Sequence, residues 1–370
     1  MTKYTSPYES DASQLVGKAT KVEQPKNILE LREVVKKNHK ICIRGGGSGL
    51  AGGAVPQNEV VLDMSKLDKI SNLDTGRKTI EIEAGVILDD LNNYLDKYNL
   101  ELPLNPSSHA ICTIGGMIAT NAVGSRAIKY GKTSEWVNWV EIINSAGEAE
   151  IKTKTELSDY AGLEGTTGVI FRANLRLASK KRQRTATLLS SGYINEISDY
   201  VRNLKRNANV SMIEFFDKKI SEWLGFEFKY HLLIEYESDE GNLKGESYKK
   251  IMETRDKLYP TLAEKGYNRI EDPKVLLDRF DKLFTFLESY DVPVYGHLSM
   301  GILHPCFSKS QEKLIPEIMT LTKKLCGQVS GEHGIGLLKK EFVDIADKKI
   351  IQNIKSRTDP IKKFNSGKVI

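Results

Sequence analysis

Two stretches near the C-terminal end hold the side chains best able to do chemistry: Tyr295-Gly-His-Leu-Ser-Met-Gly-Ile-Leu-His304 and Ser330-Gly-Glu-His-Gly-Ile-Gly336. Three of the chain's six histidines fall in them, with Glu332 next to His333. Imidazole nitrogens and a carboxylate are natural ligands for a divalent ion. A further histidine titrates close enough to neutrality to act as a base. Far away in sequence, Arg44-Gly-Gly-Gly-Ser-Gly-Leu50 offers consecutive backbone N–H groups of the kind that surround a phosphate. The chain therefore pairs a nucleotide grip with a polar reaction centre.

Residues 294–307 read as two short strands about a two-residue turn at Met300-Gly301. That turn predicts the pairs Ser299/Ile302, Leu298/Leu303 and His297/His304. Opposed residues share a face, with Cβ atoms about 5 Å apart, a spacing that suits two imidazoles on one ion. Glu332 can supply an oxygen ligand, completing a His/His/carboxylate set with open positions. His333, pointing differently, is left to act as a base. The same histidines also fit a purely structural, hydrogen-bonded role, and spacing alone leaves both readings open.

Gly47-Ser-Gly-Leu-Ala-Gly52 matches GxGxxG after a predicted strand, yet a Rossmann site is rejected. That fingerprint needs a helix starting inside the motif. Here Pro56 follows four residues after the last glycine, another strand follows at Val60, and Asp63 comes too early for the ribose acid. A phosphate-cradling loop and a plain glycine-rich turn remain, with Arg44 either adding charge or sitting on a surface strand. Two more segments are dense in small residues: Asn105-Pro-Ser-Ser-His-Ala-Ile-Cys-Thr-Ile-Gly-Gly-Met-Ile-Ala-Thr-Asn-Ala-Val-Gly-Ser125 and Gly162-Leu-Glu-Gly-Thr-Thr-Gly-Val-Ile170. Such segments let backbone pack on a large flat cofactor, or else mark tight helix–strand crossings.

The elements that must position these residues are legible from periodicity. Apolar positions 28, 31, 34 and 35 predict a helix over 28–37 capped by Asn27. Strands are expected at 41–43, 60–62, 79–83 and 168–177, a helix at 86–98, and a hairpin of 136–143 with 149–152 across Asn144-Ser-Ala-Gly147. A chain of 370 residues exceeds one usual core, so two domains are expected. The basic stretch Ser179-Lys-Lys-Arg-Gln-Arg184 marks the boundary, giving domains 1–180 and 181–370. In the second, strands near 186–190, 210–216 and 231–236 alternate with helices near 193–206 and 244–265. Helices near 276–289, 309–325 and 334–355 follow. The fold class is α+β with antiparallel sheet.

Bulk properties exclude several classes. The net charge of +5 is small for the length and not concentrated among aromatics, which argues against nucleic acid. An apolar content of 40% describes an ordinary globular chain. Cys42, Cys112, Cys306 and Cys326 form no CxxC pair and read as reduced, buried thiols of a cytoplasmic protein. The N-terminus has no apolar core of a signal peptide, and no apolar run is long enough to span a membrane.

In this order, the three small-residue segments resemble the FAD-binding domain of the vanillyl-alcohol oxidase superfamily, the p-cresol methylhydroxylase type, from about Asp11-Ala-Ser13 to Leu177. The resemblance implies that Arg44, Gly45, Gly46, Gly47, Ser48 and Gly49 hold the FAD diphosphate. It implies that Pro106, Ser107, Thr113, Gly116, Asn121, Gly124 and Ser125 line the isoalloxazine and ribityl side, with Val169 and Ile170 near the adenine end. Some members link flavin through a histidine in the glycine loop; Ser48 holds that place here, so FAD is expected to bind non-covalently.

The C-terminal half resembles the FAD-linked D-2-hydroxyacid dehydrogenases, the group of D-lactate dehydrogenase, glycolate oxidase and D-2-hydroxyglutarate dehydrogenase, with its pattern GHxGDGNxH and a later Glu-His-Gly. This implies His297, His304 and Glu332 as ligands of a divalent metal such as zinc or manganese, His333 as base, and Arg255 in Thr254-Arg-Asp-Lys-Leu-Tyr-Pro260 as the holder of a substrate carboxylate. Phe364-Asn-Ser-Gly-Lys368 is similar to the group's closing Asn-Pro-Gly-Lys. Where the group has Gly-Asp-Gly-Asn, this chain has Ser299-Met-Gly-Ile302, two polar side chains replaced by apolar ones. The implied activity is oxidation of a D-2-hydroxy acid, D-lactate- or glycolate-like, with electrons leaving to a separate acceptor: a quinone, an electron-transfer protein or an iron–sulfur subunit. Through such an acceptor a cytoplasmic chain would lie peripheral to a membrane. The alternatives are a metal-free oxidase of an alcohol, sugar or aromatic substrate, and a non-catalytic flavin subunit.

Overall fold

A computed structural model describes residues 6–181 and 183–370; the first five residues and Arg182, within the basic boundary stretch, lie outside them. Two compact units are present. The first comprises the chain up to Ala122, Lys132–Lys180 and Glu332–Ile370; the second comprises Val123–Gly131 and Lys181–Gly331. The division is not linear, as a single cut near residue 180 would have it: the C-terminal segment belongs to the first unit and a short excursion after Ala122 belongs to the second.

In the first unit, strands Lys18–Glu23, Gln57–Asp63 and Ile41–Arg44 form a parallel sheet with Gln57–Asp63 in the centre. Helix Ile28–Lys37 starts where expected: Asn27 accepts the Glu30 N–H at 3.0 Å, and Leu31 and Val35 are buried. A five-stranded antiparallel sheet runs Ile70–Asp74, Thr79–Glu83, Val169–Arg176, Val137–Ile143, Ala149–Thr153. The C-terminal tail is tied to the strand that feeds the glycine loop. Ile41 N–H donates to Lys363 O at 2.9 Å, Asn365 N–H donates to Ile41 O at 2.8 Å, and Ile43 N–H donates to Asn365 Oδ1 at 3.0 Å. This pairing is why the tail folds with the first unit.

The second unit is built on a six-stranded antiparallel sheet in the order Thr185–Ser191, Tyr230–Tyr236, Val210–Phe216, Val294–His297, Ile302–Phe307, Arg269–Ile270. Val210–Phe216 and Tyr230–Tyr236 are buried along their whole length. Phe215 meets Phe280 and Phe284 edge-on, with centroids 5.8 and 5.5 Å apart, which fixes helix Phe280–Ser289 to the sheet.

The excursion 123–131 is held in this unit by charge. Arg126 donates through Nε and Nη2 to the buried Glu235 at 2.8 and 2.9 Å, and Ser211 and Tyr248 hydroxyls donate to the same carboxylate at 2.6 Å each. Burial pushes the Glu235 carboxyl up, but the Arg126 guanidinium and these hydrogen bonds outweigh it and hold the group at about 2. Arg126→Ala strands a buried anion, and urea unfolding at pH 7 should show the second unit weakened by about 3–5 kcal/mol. The folded value is depressed, so the pair's contribution is full above the unfolded carboxyl range and is lost as pH falls from there towards about 2. The difference between wild type and variant should shrink over that interval.

Three expectations are corrected. The helix expected over 244–265 is two helices, Glu246–Asp256 and Leu258–Glu264. Pro260 lacks the N–H that would reach back to Asp256 and its ring crowds that carbonyl, so the helix restarts. The helix expected over 334–355 begins only at Ile345 and runs to Thr358, because Gly334 and Gly336 take left-handed φ values of 84° and 51°. Cys326 is exposed, while Cys42, Cys112 and Cys306 are buried. Among the described residues no helix is long and apolar enough to cross a membrane.

Candidate active site

The histidine hairpin forms with a different register from the one expected. Leu298–Met300 is a short 3-10 turn closed by Gly301 at φ 73°, so His297 pairs with Ile302 and His304 with Tyr295. A Cβ at Gly301 would lie 2.0 Å from Val275 O, which reserves the position for glycine. The loop is thus four residues, not two, and the register moves by two. Side chains alternate faces with period two, so a shift of two leaves both histidines on the same face, diagonal rather than opposed. Their ring centroids are 5.3 Å apart at 81°. Tyr295 stacks on His304 at 4.5 Å, and its hydroxyl meets that of Tyr259 at 3.0 Å, so the His304 ring is packed in place. Both imidazoles are buried.

Glu214, in the middle of strand Val210–Phe216, lies behind this pair. Its carboxylate accepts Arg255 Nε at 2.6 Å and Nη2 at 3.2 Å, and Arg255 Nη1 donates to Asp256 at 3.1 Å. Burial raises the Glu214 carboxyl, and Arg255 with the two imidazoles His297 and His304 pulls it below its ordinary value. Arg255 is itself buried, with both faces of its fork committed to protein carboxylates. The free bidentate fork expected at this position for a substrate carboxylate is therefore engaged by Glu214.

Glu332 follows Gly331, where the second unit ends. Gly331 packs so closely on Ile302, the cross-strand partner of His297, that a Cβ there would lie 2.7 Å from its side chain. One ligand atom each from His297, His304 and Glu332 lie within 4.8 Å of one another. Two imidazole nitrogens and one carboxylate oxygen at that spacing fit a divalent ion with open positions. His333 Nε2 is 3.3 Å from Glu332 Oε1.

Within the first unit, the segment after His333 joins the glycine loop: Leu337 N–H donates to Ala51 O at 2.9 Å, and a Cβ at Gly336 would lie 2.0 Å from the same oxygen. The three small-residue segments also meet there. Gly45 sits against Thr113 and Gly46 against Ile111 O, where Cβ atoms would come within 2.4 and 1.9 Å. Thr113 caps helix Ile114–Thr120 through Gly116 N–H, and Gly162 N–H donates to Ala119 O at 2.9 Å. Gly49 differs, since a Cβ there would meet nothing within 4 Å. Packing inside the protein therefore does not require a glycine at this position. The loop runs from strand to strand with no helix, so its open amides fit a diphosphate of FAD in the way the rejected Rossmann reading does not.

The other residues expected at the cofactor have partners within the protein as well. Arg44 donates from Nη1 to Ser10 O at 2.7 Å and packs on Gly47. Asn121 takes φ 50° and accepts Ser134 N–H at 3.0 Å. Pro106 O accepts the His109 N–H at 3.1 Å, and Ser107 follows in the same turn. Val169 and Ile170 are buried at the start of a central strand, paired with Ile143 and Ile142. Gly124 and Ser125 belong to the second unit. Three carboxylates escaped sequence reasoning: Glu214, Glu164 and Asp272. The first two carried a signal, an acid amid Val-Ser-Met-Ile-Glu-Phe-Phe and an acid amid Gly-Leu-Glu-Gly-Thr-Thr-Gly; Asp272, beside a proline, carried none.

Comparison with known families agrees with this geometry. Residues 19–151 match the FAD binding domain, and residues 180–369 match the C-terminal domain of FAD linked oxidases. A D-lactate dehydrogenase of Archaeoglobus fulgidus is 29% identical over 94% of this chain and 91% of its own length. A D-2-hydroxyglutarate dehydrogenase of Xanthomonas citri is 25% identical over 93% and 88%, and the glycolate oxidase subunit GlcD of Bacillus subtilis is 26% identical over 93% and 87%. The chain is a flavin-dependent oxidoreductase and belongs to the FAD-linked oxidases, in the group that contains these 2-hydroxyacid dehydrogenases.

Proposed function

We propose that the protein oxidises a D-2-hydroxy acid to the 2-oxo acid. The observation that carries this reading is the convergence of His297, His304 and Glu332 within 4.8 Å, with His333 next in the chain. His297, His304 and Glu332 would hold a divalent cation, which supplies Lewis acidity that lowers the pKa of a substrate hydroxyl. Bound FAD supplies the hydride acceptor. Gly45, Gly46, Gly47, Ser48 and Gly49 would hold its diphosphate, without a covalent link. His333 takes the hydroxyl proton on an imidazole nitrogen as general base. Arg255 acts through Glu214, holding a buried negative charge behind the two histidines, rather than on the substrate. Met300 and Ile302 form an apolar cluster with Val123 and Ala127, which favours a small or apolar acid of the D-lactate or glycolate kind over one with a second carboxylate. Electrons leave to a separate acceptor.

The test is anaerobic absorbance of the purified protein mixed with D-lactate, glycolate, D-2-hydroxyglutarate and the L-isomers of the chiral acids. Loss of the oxidised flavin band is expected with D-lactate or glycolate and not with the L-acids. A spectrum unmoved by every acid would overturn the reading. Reduction by an alcohol after removal of all divalent metal would favour the metal-free oxidase.

A further inference from the structure

The loop that carries Glu332 and His333 has little shape of its own. Ser330-Gly-Glu-His-Gly-Ile-Gly336 contains three glycines, and two of them take positive φ. Glycine loses more backbone freedom on ordering than any other residue, so something outside the loop must hold it.

Two buried carboxylates do so, one at each end. In the second unit, Asp272 accepts the Gly331 N–H at 2.9 Å through Oδ2, and the Ser330 hydroxyl donates to the same oxygen at 2.9 Å. The Asp272 carbonyl accepts the Gly331 N–H as well, at 2.9 Å. In the first unit, Glu164 Oε1 accepts the Ile335 N–H at 2.6 Å and Oε2 accepts the Gly336 N–H at 3.0 Å. A Cβ at Gly334 would come within 2.7 Å of Glu164 Oε1, so the loop is shaped to the carboxylate. Glu164 is itself pinned. It takes φ 52°, its N–H donates to Ala119 O at 2.8 Å, and its carbonyl accepts Asn365 Nδ2 at 2.6 Å. Between the two clamps lie Glu332 and His333 alone with Gly334.

We propose that Glu164 and Asp272 are the positioning residues of the active site, setting the Glu332 carboxylate and the His333 imidazole by gripping the backbone on either side of them. A carboxylate is suited to this because it accepts several N–H bonds at once and those bonds are charge-assisted. At Glu164, whose two oxygens accept different N–H groups, an amide turns an NH2 group against one of them; at Asp272 one oxygen, Oδ2, accepts both donors, so the grip is broken by removing the carboxylate. The proposal rests on the 2-hydroxyacid reading for its kinetic consequence and not for its structural one.

The test uses the whole, FAD-loaded protein with Glu164→Gln and Asp272→Ala, and three readouts. Amide hydrogen exchange should quicken at 335–336 in the first variant and at 331 in the second, with helix Ile28–Lys37 unchanged. Cobalt(II) titration should show affinity weakened about 10- to 100-fold in Asp272→Ala. Flavin reduction in Glu164→Gln should slow about 100-fold, the loss that a misplacement of about 1 Å brings, with substrate Kd held. Glu164→Asp keeps the charge and should lie between wild type and Gln, which covers failure of the Gln variant to fold. Faster exchange with wild-type cobalt affinity and wild-type reduction would reduce both residues to structural supports and overturn the proposal, as would unchanged exchange. If no acid reduces even the wild type, the substrate reading fails, while cobalt affinity and exchange still decide the clamp.

Discussion

Flavin reduction in His333→Ala is expected to slow by about 10²–10⁴-fold, the usual worth of a positioned general base. The yellow colour of bound FAD should remain, because the glycine loop meets this segment through Ala51, Gly336 and Leu337, which the substitution leaves in place. Stopped-flow absorbance under anaerobic conditions reads the rate directly. Cobalt(II) affinity measured in parallel separates two causes. His333 stands 3.3 Å from Glu332, so its loss could also disturb a ligand. A large rate loss with cobalt affinity kept assigns the proton transfer to His333; an unchanged rate sinks the base assignment.

His304→Ala should remove the metal and the activity together. The ring is fully buried, stacked on Tyr295 and within the ligand triad, so its loss removes a nitrogen held in place by packing. Lewis-acid stabilisation is worth several kcal/mol, and flavin reduction should fall by about 10³-fold or more. Metal analysis should find a stoichiometric divalent ion in the wild type and none in the variant. Chelator treatment of the wild type should reproduce the loss, and added zinc or manganese should restore it in the wild type only. Retained metal in His304→Ala would show that the hairpin is not a ligand site.

Much of this site is legible before folding is considered. Asn27 before an apolar 3.6-residue pattern is enough to start helix Ile28–Lys37, because cap and buried stripe are local properties. The strand after Gly52, signalled by Pro56, is enough to reject a Rossmann helix. The types and order of His297, His304, Glu332 and His333 are enough to suggest a metal ligand set with a base, since chemistry resides in side-chain identity.

What required the tertiary structure is everything set by contacts between distant segments. The hairpin turn is four residues, and its Gly301 lies against Val275 O, a contact that no local turn rule contains. The expected histidine pair survives that error only because side chains alternate with period two and the shift was two. Arg255 reads as a free fork on a helix; its partner Glu214 is forty-one residues away. The helix expected from 334 gives way to a loop because Gly334 and Gly336 take left-handed φ values, in a shape whose Ile335 and Gly336 amides Glu164, far upstream, accepts. Local patterns determine which elements form and which groups they carry. Burial, and the need of every buried charge and amide for a partner, decides where those groups end.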